Sequence, residues 1–447
     1  MKRFLLLVLT IVSAVATWAY DAVVDGIYYN LNAETMTATV TWGSAAYDGE
    51  VVIPSEIIVD ETAYTVTSIG ASAFYYCKGV TSISLPETLT NIGTTAFYSC
   101  GGLKQVVIPD GVTSIGRHAF ASSGLTEVAI PNSVTQIGEY AFQGCKSLLK
   151  VDLPQSLTYI DEATFYQCEK LKEVTIPCSV ETIGKYAFGA CPAIESLSVE
   201  EGSEWFMSDG NCIIDMDNTL VLGCKTSVIP DYVTAIGFGA FYFSLNLASM
   251  VIPDGVETIG ESAFEGCEGM TEVTIGSGVT TIGARAFEDC SSLTAMTVPD
   301  AVTTIGNSAF WRCTALKSVT IGKGVESVDY YAFSGCKALR EMICNPAVMI
   351  ECDEDTFYDF DASKGTLYVP ADLVGEYRST YPWSGWGTIS AIVDPTAVKG
   401  FISESDSEGD GMEIYSIDGR RLQKMQKGIN IVHISHENRT KNIIFTK

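Results

Sequence analysis

The cysteines are the residues of this 447-residue chain most able to do chemistry, because a thiol can form a disulfide, bind a metal or attack a substrate. Nine of the fourteen stand three residues after a phenylalanine: Cys77, Cys100, Cys145, Cys168, Cys191, Cys267, Cys290, Cys313 and Cys336. Ser123 and Ser244 take the same place in two other copies, so the position accepts a small, half-polar side chain. Free cysteine is among the most buried residue types. We therefore predict reduced core thiols in this column rather than disulfides.

The other cysteines leave alternatives open. Cys212 and Cys224 flank an inserted segment, and Cys344 and Cys352 lie near the last repeat. Either pair could form a disulfide, and the distance between the two residues decides this. Zinc sites need closely spaced Cys or His ligands, and the sequence contains no Cys-x-x-Cys. We predict no metal site.

The sequence pattern gives little support for a catalytic site. His118 stands where other copies of the repeat have Ser, Thr or Tyr, so we expect it on the surface. A serine hydrolase needs a base beside its nucleophile, and no column of the repeat carries one. The acidic residues occupy variable positions, as solvated residues do, although paired glycosidase carboxylates stay an open alternative. We predict no catalytic residues, no cofactor and no enzyme activity.

The cysteine spacing reflects a repeat of 23 residues built around phenylalanine. The matching residues are Phe74, Phe97, Phe120, Phe142, Phe165, Phe188, Phe241, Phe264, Phe287, Phe310, Phe333 and, in a degenerate last copy, Phe357. One interval is a residue short, and the interval from Phe188 to Phe241 spans 53 residues, which indicates an insertion. A period in this range predicts a solenoid.

Each repeat contains the segment Leu-x-x-Val-x-Ile, in which apolar and polar residues alternate as in a strand. In one copy Leu171, Val174 and Ile176 point inward, and Glu173 and Thr175 point outward. One coil cannot bury its own apolar side chains, so they must stack on the same residues of neighbouring coils. We expect a parallel sheet along one face of the solenoid.

Two columns of outward side chains on that sheet form the predicted binding surface, because solenoids use extended faces for recognition. The proposed ligand-binding positions are Glu173, Thr175, Glu272, Thr274, Thr297, Ser318 and Thr320. The alternative is that Thr and Val at these places merely suit an exposed strand.

An aromatic column directly after the repeat phenylalanine is the second candidate surface. Its members are Tyr75, Tyr98, Tyr166, Tyr242 and Trp311. Exposed aromatic rings can stack on sugars or anchor protein partners. Other copies have Ala, Gln, Gly, Glu or Ser at this place. We therefore expect rings packed along the edge of the coils rather than one continuous platform.

Charge restricts the partners. The chain has 27 basic and 54 acidic side chains, a net charge of −27, which opposes binding to a phosphate backbone. Nucleic acid is therefore not expected as a partner. The acidic surface predicts salt-sensitive attraction to basic partners.

Composition divides the chain into segments. Lys2 and Arg3 precede an apolar run, so a secretory signal peptide removed after Ala19 is predicted. No other run is long enough for a transmembrane helix. The predicted segments are a signal peptide (1–19), an N-terminal β cap (20–60), the solenoid (61–392) with a hairpin insertion (about 195–227) and a closing coil (about 365–392), an acidic linker (393–411) and a small β tail (412–447).

The motifs Val112-Thr-Ser-Ile-Gly116, Ala119-Phe120 and Phe142-Gln-Gly-Cys145 resemble those of BspA-type leucine-rich-repeat proteins, which are common on the surfaces of anaerobic oral and gut bacteria. The resemblance covers roughly residues 50 to 390. It implies a β-rich α/β, right-handed leucine-rich-repeat solenoid with a parallel sheet on one face and no catalytic centre. It also implies adhesion to a host or bacterial surface protein. A glycan-binding surface module is the alternative, and the oligomeric state stays open.

Two further segments carry resemblances. The stretch from Trp205 to Gly223 is similar to the hairpin module that interrupts such arrays. The tail, with its Asp418-Gly419 turn, resembles the C-terminal sorting domains of type IX secretion cargo. That resemblance implies delivery to the outer cell surface or secretion.

Overall fold

The alternating residues of each repeat form one coil of a β-solenoid of about 14 turns with parallel strands. The structure is a computed structural model that describes residues 20–43 and 45–392, together with the backbone of four strands beyond residue 411. The predicted signal peptide and acidic linker lie outside the described residues. The strands are numbered in chain order.

The Leu-x-x-Val-x-Ile segments form the first series of strands. They are β7 (Val80–Ser84), β10 (Glu127–Ala129), β12 (Lys150–Asp152), β14 (Glu173–Ile176), β16 (Ser196–Val199), β21 (Ser249–Val251), β23 (Glu272–Thr274), β25 (Ala295–Val298), β27 (Ser318–Ile321), β29 (Glu341–Cys344), β31 (Thr366–Val369) and β32 (Thr388–Ala391). Pairing between these strands is parallel and in register, for example Glu173 with Ser196 and Thr297 with Thr320. Buried and more exposed side chains alternate as predicted in strands such as Glu173–Ile176, whereas three successive residues are buried in Ser318–Ile321 and in Glu341–Cys344.

The first series is divided into short sheets instead of one continuous sheet. No strand forms over residues 103–108, where the repeat predicts one. The next coil lacks one residue between Phe120 and Leu125. Its Gly124 lies so close to the preceding coil that a Cβ there would approach the Gly101 carbonyl oxygen to 2.2 Å. We attribute the local loss of pairing to this shortened turn.

A second parallel series of strands forms, although the sequence analysis predicts a sheet on only one face. Its two-residue strands are β8 (Asn91–Ile92), β9 (Ser114–Ile115), β11 (Gln136–Ile137), β13 (Tyr159–Ile160), β15 (Thr182–Ile183), β20 (Ala235–Ile236), β22 (Thr258–Ile259), β24 (Thr281–Ile282), β26 (Thr304–Ile305), β28 (Ser327–Val328) and β30 (Glu351–Cys352). Two residues are too few to show a strand period in sequence. The hydrophobic core therefore lies between two ladders of parallel strands, one formed by each series.

The repeat phenylalanines form a ladder of stacked rings in this core. Nine successive pairs have ring centroids 4.9 to 5.5 Å apart and planes within 14° of parallel. This separation is close to the spacing of hydrogen-bonded strands, so each ring sits directly on the ring of the next coil. The insertion interrupts the ladder, and Gly223 lies against the Phe241 ring there, where a Cβ would come within 2.1 Å.

The cysteine column has a hydrogen-bonding role. All fourteen thiols are free, including those of both possible pairs, and the repeat column is buried, as predicted. Eight of these thiols donate to the carbonyl of the phenylalanine in the preceding coil, at 3.1 to 3.4 Å. Burial raises the pKa of the Cys100 and Cys267 thiols to about 12, so they stay protonated and can donate.

The two ends of the array are covered by different structures. The first end carries β1 (Ala22–Val24), β2 (Ile27–Asn32), β3 (Thr37–Thr41), β4 (Gly49–Val52), β5 (Glu56–Val59) and β6 (Thr62–Ile69). Strand β6 joins the second ladder through β8. The last coil carries the 3-10 helices η1 (Ala362–Lys364) and η2 (Trp383–Gly385) and a helix α1 (Val374–Ser379). The buried Trp383 ring packs on Phe357, 5.2 Å between centroids.

The insertion is an antiparallel three-stranded unit of β17 (Phe206–Asp209), β18 (Cys212–Asp215) and β19 (Thr219–Leu222). Strand β19 pairs in parallel with β20 and so starts the second half of the array. The tail strands are β33 (Met412–Ser416), β34 (Arg421–Leu422), β35 (Ile429–His436) and β36 (Arg439–Thr446), and they form one antiparallel sheet. None of the helices in the described part of the chain is long and apolar enough to cross a membrane.

We predict that Cys290→Ala destabilises the array more than Cys290→Ser. Alanine removes one of the two donors to the Phe264 carbonyl, which also accepts from the Cys267 N–H, and loss of one such hydrogen bond costs about 0.5–1.5 kcal/mol. Serine keeps a donor and occurs naturally at the equivalent Ser123 and Ser244. Urea unfolding followed by circular dichroism gives both free energies of unfolding. Equal losses in the two variants would show that the hydrogen bond does not matter.

Candidate functional site

The outward residues of the first strand series form what we call the sheet face. Five predicted positions are exposed there: Glu173, Thr175, Glu272, Thr274 and Thr297. Within this face, the Thr175 and Ser198 hydroxyl groups lie 2.9 Å apart on neighbouring strands. The exposed positions lie on both sides of the insertion.

The other two predicted positions are less accessible. Ser318 is half-buried, and Thr320 is only 6% exposed. The next residue of that column, Ile343, is fully buried, whereas Val107 in an earlier coil is 82% exposed. The Thr320 hydroxyl also has no hydrogen-bond partner in the described part of the structure. The open part of this column therefore ends at Thr297.

In the second column of the sheet face, too, the side chains become less exposed in the later coils. Glu341 is half-buried, and burial raises the pKa of its carboxyl group. Earlier acidic residues of this column, Glu173 and Glu272, are exposed. The alternation of apolar and polar residues in the repeat predicts which side chains point outward. It does not predict which of them are exposed, because exposure depends on the residues that cover the sheet.

The second candidate surface is the line of turns beside the repeat phenylalanines, which we call the aromatic edge. Tyr75 is exposed, whereas Tyr98, Tyr166, Tyr242 and Trp311 are half-buried. The Tyr75 and Tyr98 rings stack at 5.2 Å, and those of Tyr166 and Tyr242 lie 6.2 Å apart. The four tyrosines therefore pack in pairs along the edge.

Sequence reasoning missed the aromatic residues that fill gaps in this edge. They stand two residues before the repeat phenylalanine, at His118, Tyr140, Tyr186 and Tyr331. His118 stacks on Tyr140 with 4.8 Å between centroids, and Tyr186 packs on Tyr242 at 4.3 Å. A comparison of this second column across the repeats would have found them. His118 is therefore half-buried among rings rather than a free surface residue.

One part of the edge is concave, and we call it the edge cleft. It encloses about 480 Å³ and is lined by Trp311, Arg312, Thr314, Tyr331, Ser334, Gly335, Lys337, Tyr358 and Asp359. The Arg312 guanidinium lies 5.2 Å from the Trp311 ring centroid, and Lys337 pairs with Asp359 at 3.2 Å. Aromatic rings and polar groups that converge on one cavity are typical of a ligand site.

Two acidic residues of the edge are buried. Glu265 is 8% exposed and accepts a hydrogen bond from the Ser262 hydroxyl at 2.6 Å. Glu288, one coil further, is 6% exposed, and one of its carboxylate oxygens lies 3.6 Å from Arg285. Burial, with a contribution from the Glu265 charge, raises the pKa of Glu288 to about 7. Within the described residues, no group of three His, Cys, Asp or Glu side chains is placed to hold a metal ion.

Comparison with known families agrees with this architecture. Residues 64–202 and 223–361 match the BspA type leucine-rich repeat region in six copies. The chain belongs to the BspA-type leucine-rich-repeat family. The two matched stretches stop on either side of residues 203–222, the region of the insertion.

Several solved structures resemble the BspA-type chain. A leucine-rich cell surface protein of Faecalibacterium prausnitzii is 30% identical over 72% of this chain and 94% of its own, with a TM-score of 0.59. The pneumococcal vaccine antigen PcpA is 26% identical over 83% and 97%, with a TM-score of 0.72. A Bacteroides ovatus leucine-rich repeat protein is 27% identical over 84% and 100%, with a TM-score of 0.59. None of the curated proteins compared with the chain matches it.

We predict that Glu288 makes the stability of the array depend on pH. Its folded pKa lies above that of an unfolded Glu, so its contribution is fully present below about pH 4.3 and is lost as pH rises through about 7. Glu288→Gln should therefore match the parent at pH 4 and be more stable by about 3 kcal/mol at pH 8.

Thermal and urea unfolding across pH 4 to 8 measures this difference. Glu268→Gln, an exposed residue of the preceding coil, is the control and should leave the free energy of unfolding unchanged at every pH. Parallel pH profiles for the parent and Glu288→Gln would contradict the prediction.

Proposed function

We propose that the protein is a non-catalytic surface binding protein that holds a host or bacterial protein through the sheet face. The observation that carries the proposal is the open run of polar side chains on β14, β23 and β25, where Glu173, Thr175, Glu272, Thr274 and Thr297 are exposed. A broad, shallow, polar surface suits a protein partner, since standard interfaces bury about 800 Å² on each side.

Charge favours a partner with a basic surface. Glu173 and Glu272 lie on the proposed face of a chain with a net charge of −27. Complementary charges speed association and impose specificity, and salt weakens them. The family membership supports a surface role, since one solved relative is described as a cell surface protein.

The export route belongs to the same proposal. Residues 1–19 act as a signal peptide cleaved after Ala19, and residues 412–447 act as a type IX-like sorting tail that brings the protein to the outer surface or the medium. The solenoid between them is right-handed. Support comes from the charged and apolar pattern of the first residues and from the tail motif around Asp418.

The edge cleft supports a second candidate function, binding of a glycan. Trp311, Tyr331 and Tyr358 offer ring faces, and Arg312, Lys337 and Asp359 offer donors and acceptors to the same cavity. Sugar rings stack on aromatic faces while their hydroxyl groups bond to such polar groups. This combination is what a glycan site requires, and a flat protein interface does not need it.

We predict that Thr274→Arg combined with Thr297→Arg abolishes capture of a protein partner. Both residues are exposed in successive coils, so two long cations would block the face and offset the charge of Glu173 and Glu272. Thr320 is left unchanged because it is buried. Binding would be measured by biolayer interferometry against immobilised host matrix proteins and bacterial surface proteins.

The matched control combines Thr280→Arg with Thr303→Arg, exposed threonines of the same coils outside the sheet face. It should bind as the parent does. If the sheet-face variant keeps its circular dichroism spectrum and binds a partner as tightly as the control, the sheet face is not the site.

We predict for the glycan alternative that Trp311→Ala weakens binding of any polysaccharide found on a glycan array by about tenfold or more, through loss of a stacking ring. Trp42→Ala, which removes an exposed Trp from the N-terminal end, should have no effect. Equal binding by the two variants would exclude the edge cleft. Binding to proteins but to no glycan would leave the sheet face as the functional surface.

A further inference from the structure

One junction in the array lacks the phenylalanine amide hydrogen bond that joins the other neighbouring coils, although the Ala190 N–H still donates to the Tyr242 carbonyl across it at 3.0 Å. The amide of each repeat phenylalanine donates to a carbonyl in the next coil, at 2.6 to 3.0 Å, from Phe74 through Phe165 and from Phe241 through Phe333. Phe188 is the exception among these residues, since its N–H has no backbone acceptor in the described chain. The Tyr186 N–H beside it also lacks one.

The insertion explains the missing bonds. Strand β15 pairs with β13 on one side, and no described strand pairs with its other side. The strand that would continue the ladder, β19, pairs with β18 and β20 instead. Such an open edge carries unpaired donors and acceptors and is a template for another strand.

A groove runs along this open edge, and we call it the junction groove. It consists of two cavities of about 200 and 520 Å³ that share Ile183 and Val221 in their linings. The inserted unit contributes Trp205 and Met216, which are 47% and 48% exposed. Large apolar side chains beside an open strand edge form pockets for the side chains of an added strand.

The charge of the junction groove identifies the chemistry of its occupant. Glu181, Glu204, Asp215 and Asp217 line the larger cavity. Lys185 lines the smaller one and lies over the Phe238 ring, with its ammonium 4.5 Å from the ring centroid. A second copy of this strongly acidic chain is disfavoured by repulsion, and a basic segment is attracted.

We propose that the junction groove binds an extended, basic peptide segment of a partner protein, which adds as a strand to the free edge of β15. The unpaired N–H groups of Tyr186 and Phe188 donate to its carbonyl oxygens, and Trp205 and Met216 contact its apolar side chains. Carboxylates at the rim pair with its lysine or arginine residues. The site is separate from the sheet face and from the edge cleft, so it adds a second binding mode to the protein.

The test uses the full chain and fluorescein-labelled octapeptides. One peptide alternates lysine and valine, a second alternates glutamate and valine, and a third is the lysine peptide with alternate backbone amides methylated. Fluorescence anisotropy at low salt should show binding of the first peptide. Binding of the second and third should be at least about tenfold weaker, because one lacks the cations and the other cannot form a ladder.

Variants separate the groove from general attraction to an acidic protein. Trp205→Ala, and Glu204→Gln combined with Asp217→Asn, should each weaken binding of the lysine peptide by about tenfold. The controls are Trp42→Ala, with a similarly exposed ring, and Glu87→Gln combined with Asp110→Asn, exposed acids far along the array. The controls should change binding by less than about twofold. Circular dichroism and thermal unfolding check that every variant is folded.

Three results would overturn the proposal. Equal losses in groove and control variants would mean non-specific charge attraction. Full binding of the methylated peptide would exclude strand addition. Self-association in sedimentation experiments, abolished by the groove variants, would show that a second copy occupies the groove. None of these results depends on the Thr274 and Thr297 variants, so the sheet-face proposal stands or fails separately.

Discussion

The constraint on which the structure depends is that every coil must satisfy its backbone and bury its apolar side chains against the next coil. Hydrogen bonds between coils set a rise of about 4.8 Å. The phenylalanine rings stack at nearly this distance, 4.9 to 5.5 Å in nine pairs. The thiols also connect neighbouring coils across this distance, since Cys290 donates a hydrogen bond to the Phe264 carbonyl in the preceding coil. A residue type that suits the spacing between two coils therefore suits the equivalent position in every coil.

This constraint explains how much of the fold could be read from the sequence. A 23-residue period and an alternating segment were enough to orient Val174 inward and Thr175 outward and to predict free, buried thiols. The second ladder was missed because strands of two residues, such as Thr182–Ile183, carry no detectable period. The gap in the first sheet over residues 103–108 was missed because it follows from a deletion in the next coil.

The candidate sites could be predicted only in part, because they depend on contacts that cross repeat positions. The aromatic edge combines Tyr242 of one column with Tyr186 of another, and stacking of the coils on the two sides of the insertion brings these rings together although they stand 56 residues apart in sequence. Burial of Thr320 could not be read from its repeat position either, since Thr297 at the same position is exposed. The position of a residue in the repeat predicts which way its side chain points, but not which other residues cover it.

Departures from the repeat are the places where a solenoid can acquire a specific site. A regular surface offers the same groups in every coil, so a partner that binds one coil can slide to the next. The insertion breaks this equivalence, because its strands leave the edge of β15 unpaired and place Trp205 and Met216 beside it at one point in the array. The core is preserved there, since Phe241 packs against Gly223 in place of another ring. The insertion therefore interrupts the ring ladder at one junction and leaves the Phe188 N–H without the backbone acceptor that the equivalent residues have from Phe74 through Phe165 and from Phe241 through Phe333.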